Sequence, residues 1–394
     1  MERKTLFAEK QIQGHAPEFF GDTIGVTDGY DGMQISPDVS VYQCKSVSVI
    51  GRTEFIQSGR TLYYPKNLNP SLFAFMIEIE ERGKVHQNKT EISILPRKST
   101  KKLGRAISLL GQCSGNYAHW LTEAMSRLAL IESMDEFRGI PILVDRDTHP
   151  KLQYILALVN NSQREIITVR AYEPVFVESL IYVGLPGITP AETRRVFETG
   201  ELDTPHAKQY QFCPDALQQV SAIMKDYLPQ RGISDCGEGE DNSMLYLSRT
   251  PASTGNGRHL LNQSTVMRLL KSMGVIPFDV FNASFESVVE IFQTVRVVVS
   301  PIGAALANLI FSPPGVTVII LTPHYPSASF YYFSNLLIAL GHDVTFVLGH
   351  RSQIGGSNLY NSDYFIRLPL LEEAMEEVLN KRSDDPIEPV LLGL

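Results

Sequence analysis

Residues 296–322 read RVVVSPIGAALANLIFSPPGVTVIILT. A β-branched run, Val297 to Val299, breaks at Ser300-Pro301-Ile302-Gly303 into an Ala-rich stretch, which stops at Pro313-Pro314-Gly315 before a second apolar run. Short apolar runs bounded by Gly and Pro are read as strands buried on both faces, as parallel sheets require. The segment therefore predicts strand, turn, helix, strand. Where a strand opens directly onto a helix, unsatisfied backbone N–H groups and the positive helix end converge on one point. Gly303 and Ala304 would let another group approach the backbone there, as phosphates do in parallel α/β sheets. Ser300, Gly303, Ala304 and Asn308 are the candidate contacts of such an anion. A tight turn inside a core is the plain alternative. The chain holds neither G-x-G-x-x-G nor G-x-x-x-x-G-K-[ST], so neither a dinucleotide fingerprint nor a Walker loop is supported.

The same alternation extends on both sides of this stretch. Before it, Met244 to Leu247 and Val275 to Val280 read as strands, with helices over Ser264 to Met273 and Ser284 to Gln293. After it, a strand at Val316 to Leu321 leads to a helix at Ser327 to Leu340 and a strand at Val344 to Leu348. Repeated β-α units of this length imply a parallel, doubly wound sheet. A polar, acidic stretch, PQRGISDCGEGEDN over 229–242, separates this half from the first as a linker should. The expected organisation is an N-terminal domain over 1–228, the linker, a C-terminal domain over 243–350, and a tail over 351–394. A helix from Leu370 to Asn380 in that tail is expected to pack back on the first domain.

The first half is less regular. Up to about residue 100 it offers short alternating segments with Gly and Pro punctuation, which read as strands without an evident order. From Asn116 the pattern sharpens. NYAHWLTEAMSRLALIESM places Tyr117, Trp120, Leu121, Ala124, Met125, Leu128 and Ile131 at helical spacing, with Asn116 as the cap. Strands are expected at Ile140 to Val144, Glu165 to Val169 and Val175 to Val183.

Composition bounds the function. The chain has 394 residues, 43% hydrophobic and 20% charged, which suits two domains, each with its own core. A formal net charge of -8 argues against a protein built to bind nucleic acid, since phosphate backbones are held by clustered Lys and Arg. Cys44, Cys113, Cys213 and Cys236 are widely spaced, without a C-x-x-C pair, so neither a disulfide framework nor a structural zinc site is expected. The N-terminal residues lack the apolar core of a signal peptide, and no run reaches the ~20 apolar residues of a membrane span. The expectation is a cytoplasmic protein without a transmembrane segment, for which peripheral membrane contact stays open.

Three further groups of residues carry chemistry. Arg249 ends the Met244 strand, and Arg258 and Asn262 follow after a Gly-containing gap; two arginines at the C-terminal edge of a parallel sheet can clamp a diphosphate. Their plain alternative is a pair of solvated loop arginines. His119 and Glu123 stand four residues apart, on one helix face away from the apolar stripe, where they can act as base and orienter toward a hydroxyl. A solvated polar pair is the competing reading. His324 and Tyr325, in the loop after a strand, are candidate sugar or base contacts, whereas the run Phe330 to Phe333 reads as core.

In this order, Asn116-Tyr117-Ala118-His119-Trp120, Ser248-Arg249, Arg258, Asn262, Gly303-Ala304-Ala305-Leu306-Ala307-Asn308 and Phe311-Ser312-Pro313-Pro314-Gly315 resemble glycosyltransferase family 61. The resemblance covers roughly Gly104 to Gly349. That family includes plant xylan-decorating and O-linked N-acetylglucosamine transferases and many bacterial capsule and lipopolysaccharide proteins. It implies a GT-B fold of two Rossmann-like domains with an interdomain cleft, an inverting mechanism, and a nucleotide-sugar donor held by the C-terminal domain. No cofactor is implied beyond that substrate, and no metal. Carried over, Arg249, Arg258, Asn262, Ser300, Gly303, Ala304, Asn308 and Tyr325 fall to donor binding, and Glu123 and His119 to catalysis. The acceptor implied is a hydroxyl of a cell-surface glycan, free or lipid-linked. Three positions depart from the family pattern: Ile302 replaces a His that usually contacts donor, Ile320 a Glu, and Gln263 an acidic residue. These departures motivate a rival reading, a GT-B-like binding or scaffold protein of a polysaccharide assembly system. A polysaccharide pyruvyltransferase-like enzyme is the third.

Overall fold

The computed structural model describes residues 2–26, 29–64, 83–85, 92–189, 210–231, 243–248, 258–325, 328–352 and 362–383. Arg249, most of the 229–242 linker, Cys236 and the Gly355-Gly356-Ser357 break lie outside the described residues. Two large sheets organise the chain. In the first, Ile166–Val169, Ile142–Asp145, Lys102–Ser108 and Pro174–Val183 lie side by side and parallel. Val39–Ile50, Ile56–Ser58 and Thr61–Tyr63 continue it antiparallel, and Glu2–Phe7 pairs with Val39–Ile50. The chain builds outward from Lys102–Ser108 on one side and then returns to its other side. The strand order thus reverses beside Lys102–Ser108, and ligands of open parallel sheets collect at the strand C-termini of such a point.

The second sheet runs Ile276–Phe278, Met244–Leu247, Val297–Pro301, Thr317–His324 and Asp343–Arg351, all parallel, with Tyr364–Phe365 antiparallel at its edge. Its order reverses between Met244–Leu247 and Val297–Pro301, the strands that lead to Arg249 and to the Gly303 turn. The parallel α/β character expected of residues 244–348 is therefore what the chain adopts. Of the helix expected over Ser327 to Leu340, Ser327 lies outside the described residues and the described part is helical over Tyr331–Ala339; the helices Pro150–Val159 and Pro214–Arg231 were not anticipated.

Packing differs from two separate cores. The largest cluster is continuous across both sheets: Ile107, Ile142 and Ile181 of the first share it with Leu245, Val298, Ile320 and Phe346 of the second. Helices of both halves fill it, among them residues 117–132 and Tyr331–Ala339. Residues of the first half also reach the second sheet directly. Glu18–Phe20 pairs in parallel with Asp343–Arg351, and Phe19 stacks on Phe346 with ring centroids 5.1 Å apart. The tail helix forms, over Leu368–Ser383, and lies on the outer face of the second sheet, where it also meets Glu18–Phe20 of the first half, Lys381 pairing with Glu18. Leu371, Ala374, Met375 and Val378 are buried against Val299, Ile319, Leu321 and Val347, because the outer face of the second sheet is apolar and needs a cover.

Among the described residues no helix is long and apolar enough to cross a membrane. Cys44, Cys113 and Cys213 are buried, and among the described residues no cysteine forms a disulfide.

Candidate active site

The loop after the Lys102–Ser108 strand leads into the Asn116 helix at the point where the first sheet reverses its order. Asn116 caps that helix, its side chain accepting from the Ala118 N–H at 3.0 Å. One turn on, the helix widens into a π segment, Trp120–Met125, before returning to α geometry over Ser126–Glu132. Such π turns are rare and recur at functional sites. Side chains of the same helix take carbonyls along it. Thr122 donates to Ala118 O at 3.0 Å, Ser126 to Leu121 O at 2.8 Å, and the Arg127 Nε–H to Glu123 O at 2.9 Å.

Glu123 lies within this segment and His119 just before it. Their side chains meet at 2.7 Å between His119 Nδ1 and Glu123 Oε1. Neither is a solvated surface group: His119 is 9% exposed and Glu123 4%. The competing reading, a solvated polar pair, is not what forms, because this face is covered by the other half of the chain. The Tyr332 ring lies 5.1 Å from the His119 ring, and the Tyr332 and Thr122 hydroxyls are 3.2 Å apart. Tyr332 belongs to the aromatic run read as core, so its contact with His119 was missed; its proximity depends on how the two sheets pack, which local sequence does not encode.

A second link ties this helix to the Gly303 turn. The Tyr117 hydroxyl donates to Asn308 Oδ1 at 2.5 Å, and Asn308 Nδ2 donates to Ala305 O at 2.8 Å. Burial of the Tyr117 phenol pushes its pKa well up, so it stays a donor. Both ends of the Asn308 amide are thereby engaged inside the protein. The segment after the turn is a 3-10 helix, Ala304–Phe311, rather than the α-helix expected. Leu306 N–H donates to Gly303 O and Ser312 N–H to Leu309 O, both spanning three residues. The Asn308 side chain takes the Ala305 carbonyl, in the competition of short polar side chains with the backbone.

The turn itself is open. Gly303 is extended, and a Cβ built there would meet only Pro301 O, at 3.9 Å. Ser300 is buried, and its hydroxyl donates to Pro301 O at 2.8 Å, so its side chain is turned onto the backbone. Ile302 and Ile320 both lie in the shared apolar core.

The remaining candidates are spread along the C-terminal edge of the second sheet. Arg258 is buried and adopts φ 74°, a left-handed conformation costing a non-glycine residue roughly 1–2 kcal/mol. Such strain gathers at ligand sites. Its segment is fastened by His259, whose N–H donates to Asp363 Oδ1 at 2.7 Å, and by the Leu260 bridge to Tyr364. Tyr364 in turn donates to Leu321 O at 2.8 Å, close to the end of the neighbouring strand. Asn262 spends its amide on Ile366, donating to its carbonyl at 2.8 Å and accepting from its N–H at 3.1 Å. His324 ends its strand, with Nε2 3.1 Å from Ile24 O, and Tyr325 is buried in the core instead of standing in an open loop. The structure thus pairs His119 with Glu123 and, on the same helix, Tyr117 with Asn308, and keeps Ser300, Gly303 and Ala304 in the adjoining turn. It uses Asn262 and Tyr325 in packing.

Two buried acidic residues near this helix gave no signal in the sequence. Asp145 ends its parallel strand and accepts from the Arg52 N–H at 2.6 Å and the Gly111 N–H at 3.0 Å. Burial nevertheless pushes its carboxyl up to about 6. Glu54 is buried beside Gly111, where an added Cβ would come within 2.5 Å of Glu54 Oε1. Among the described residues no three His, Cys, Asp or Glu side chains group so as to hold a metal ion.

The buried His119–Glu123 pair thus follows the end of one parallel strand and the open Gly303 turn the end of another, where ligands of α/β sheets collect. The profile of the family described as Glycosyltransferase 61 matches residues 117–320, from the His119 helix to the strand after the Gly303 turn. The chain belongs to glycosyltransferase family 61 and is a glycosyltransferase, with a sugar donor and an acceptor as substrates. No curated protein matches it.

Proposed function

We propose that the chain is an inverting, metal-independent transferase of GT-B organisation, moving a sugar from a nucleotide-sugar donor to a hydroxyl of a cell-surface glycan. The observation that carries this reading is the buried His119–Glu123 pair, held at 2.7 Å and linked through Tyr117 and Asn308 to the Gly303 turn. Glu123 takes the proton of the acceptor hydroxyl, with His119 orienting it. The oxygen attacks the anomeric carbon from one face as the bond to the nucleoside diphosphate breaks on the other, which inverts that centre. Arg249, Arg258 and the backbone N–H groups of the Gly303 turn receive the charge of the leaving diphosphate. Asn262 and Asn308, with their amides engaged, brace that donor side without touching the donor.

Glu123→Gln tests the assignment. Turnover, read as nucleoside diphosphate released from UDP- and GDP-sugars in the presence of glycan acceptors, should fall at least about a hundredfold while nucleotide affinity is unchanged. Unchanged turnover would remove Glu123 as the base. Donor and metal are tested together by thermal unfolding with nucleoside diphosphates, with and without chelator. A ligand at 100 times its Kd adds about 2.7 kcal/mol, and the expected stabilisation survives chelation. The scaffold reading rests on Ile302 and Ile320, whose side chains are committed to the core. Absence of stabilisation by every nucleotide would favour it.

A further inference from the structure

We propose that Tyr332, delivered by the second half of the chain, is a positioning residue of the His119–Glu123 pair: its ring holds the His119 imidazole and its hydroxyl braces the π turn that carries Glu123. The inference rests on the reading of that pair as catalytic. Two contacts carry it. The Tyr332 and His119 rings lie 5.1 Å apart and tilted by 44°, so the phenol ring packs against the imidazole and restricts its rotation. The Tyr332 and Thr122 hydroxyls are 3.2 Å apart, and Thr122 spends its one proton on Ala118 O at 3.0 Å, so the Tyr332 hydroxyl donates and Thr122 accepts. Thr122 precedes Glu123 in the widened turn, and Ala118 precedes His119. The chain of contacts from Tyr332 through Thr122 to Ala118 therefore runs through the neighbours of both members of the pair.

Tyr332 is itself held in place. The Phe212 ring meets it edge-on, at 5.4 Å and 90°, and the Phe333 ring at 4.9 Å and 76°. Its helix, Tyr331–Ala339, is anchored by Tyr331, which stacks on Tyr30 with centroids 4.2 Å apart, and by Asn335, whose Nδ2 donates to Tyr210 O at 2.9 Å. The short strand Gly187–Ile188, paired with Gln211–Phe212, closes the group. A Cβ at Gly187 would come within 3.2 Å of the Phe212 ring and 3.3 Å of Thr122 Cβ, so the missing side chain is what lets this strand press on both. Phe212 and Thr122 are fully buried, whereas Tyr332 is half-buried, at the rim of the cluster beside the pair. Segments far apart in the chain thus meet on one phenol, and the phenol meets the imidazole.

The experiment reads the order of His119 and the turnover of the full chain in Tyr332→Ala, Tyr332→Phe and Gly187→Ala. The imidazole C–H resonances of His119, assigned by their loss in His119→Gln, should be single and sharp in the wild type and broadened or split in Tyr332→Ala. Turnover, read as nucleoside diphosphate released from UDP- and GDP-sugars with glycan acceptors, should show kcat lowered about ten- to a hundredfold, as a displacement of about 1 Å costs, with KM for the nucleotide sugar unchanged. Tyr332→Phe keeps the ring and loses one hydrogen bond, so it should recover sharp resonances and most of kcat. Gly187→Ala leaves Tyr332 and the pair chemically intact but forces Phe212 and Thr122 to give way. It should move both readouts in the direction of Tyr332→Ala, which keeps the idea testable where that variant does not fold. A lowered Tm with wild-type imidazole resonances and unchanged kcat would make Tyr332 a packing residue only, and that result overturns the proposal. Broadened resonances with lowered kcat, alongside full turnover by Glu123→Gln, would instead remove Glu123 as the base and leave Tyr332 as the residue that holds His119.

Discussion

Asp145 shows how one side chain couples the site region to pH. Its carboxyl is raised from 3.8 to about 6 by burial, against the lowering effect of hydrogen bonds from Gly111, Arg52 and Ser114. Between these values the folded state binds a proton that the unfolded state has released, so stability falls as pH rises. The contribution is fully present below 3.8 and lost above about 6, on the order of 3 kcal/mol. Asp145→Asn should flatten that part of a Tm-against-pH curve between pH 4 and 7; a curve of unchanged slope would reject the assignment. Tyr117→Phe acts differently, stranding Asn308 Oδ1 in the core. It should cost about 1–3 kcal/mol in denaturant unfolding and lower turnover by loosening the helix that bears His119. At this scale the sequence was half legible. The spacing of His119 and Glu123 announced a pair on one face, and Asn116 announced the cap. That the pair is buried was not announced, because Tyr332 comes to it from the other end of the chain.

Among the elements, the Gly303 turn makes the sharpest prediction. An extended backbone with empty space at the Cα position carries no internal demand for glycine. Gly303→Ala should therefore leave the unliganded protein within about 0.5 kcal/mol of wild-type stability. If the donor diphosphate approaches that backbone, the added methyl should remove most of the thermal stabilisation given by nucleoside diphosphates. A variant stabilised by nucleotide as strongly as the wild type would place the diphosphate elsewhere. The strands on either side were plain from β-branched runs and Pro-Gly stops. The 3-10 geometry of Ala304–Phe311 was not, since Ala and Leu suit either helix and the decision falls to the Asn308 side chain. The π turn was equally hidden, because it changes hydrogen-bond register without changing the apolar pattern. The Pro150–Val159 helix carried a readable signal that went unused, a Pro in its first turn behind the capping His149.

At the level of the whole molecule, long-range pairing decides what local patterns leave open. Glu18–Phe20 and Leu368–Ser383 carry ordinary sequences, and only the finished second sheet gives each a partner. Leu371→Ala, made in the tail helix, should cost about 2–5 kcal/mol because it opens a cavity under the outer face of that sheet. A loss below about 1 kcal/mol in denaturant unfolding would mean that the helix is only loosely held.

The pairing of Glu18 with Thr345 also bears on the order in which the protein folds as it is made. A ribosome releases the Glu18–Phe20 strand long before it has synthesised the strand that receives it. During that interval the aromatic pair Phe19 and Phe20 has no native place to go, and such waiting segments are where nascent chains recruit chaperones or aggregate. Chains arrested before Asp343 should thus bind a holdase through this segment, and release it once Asp343–Arg351 has emerged.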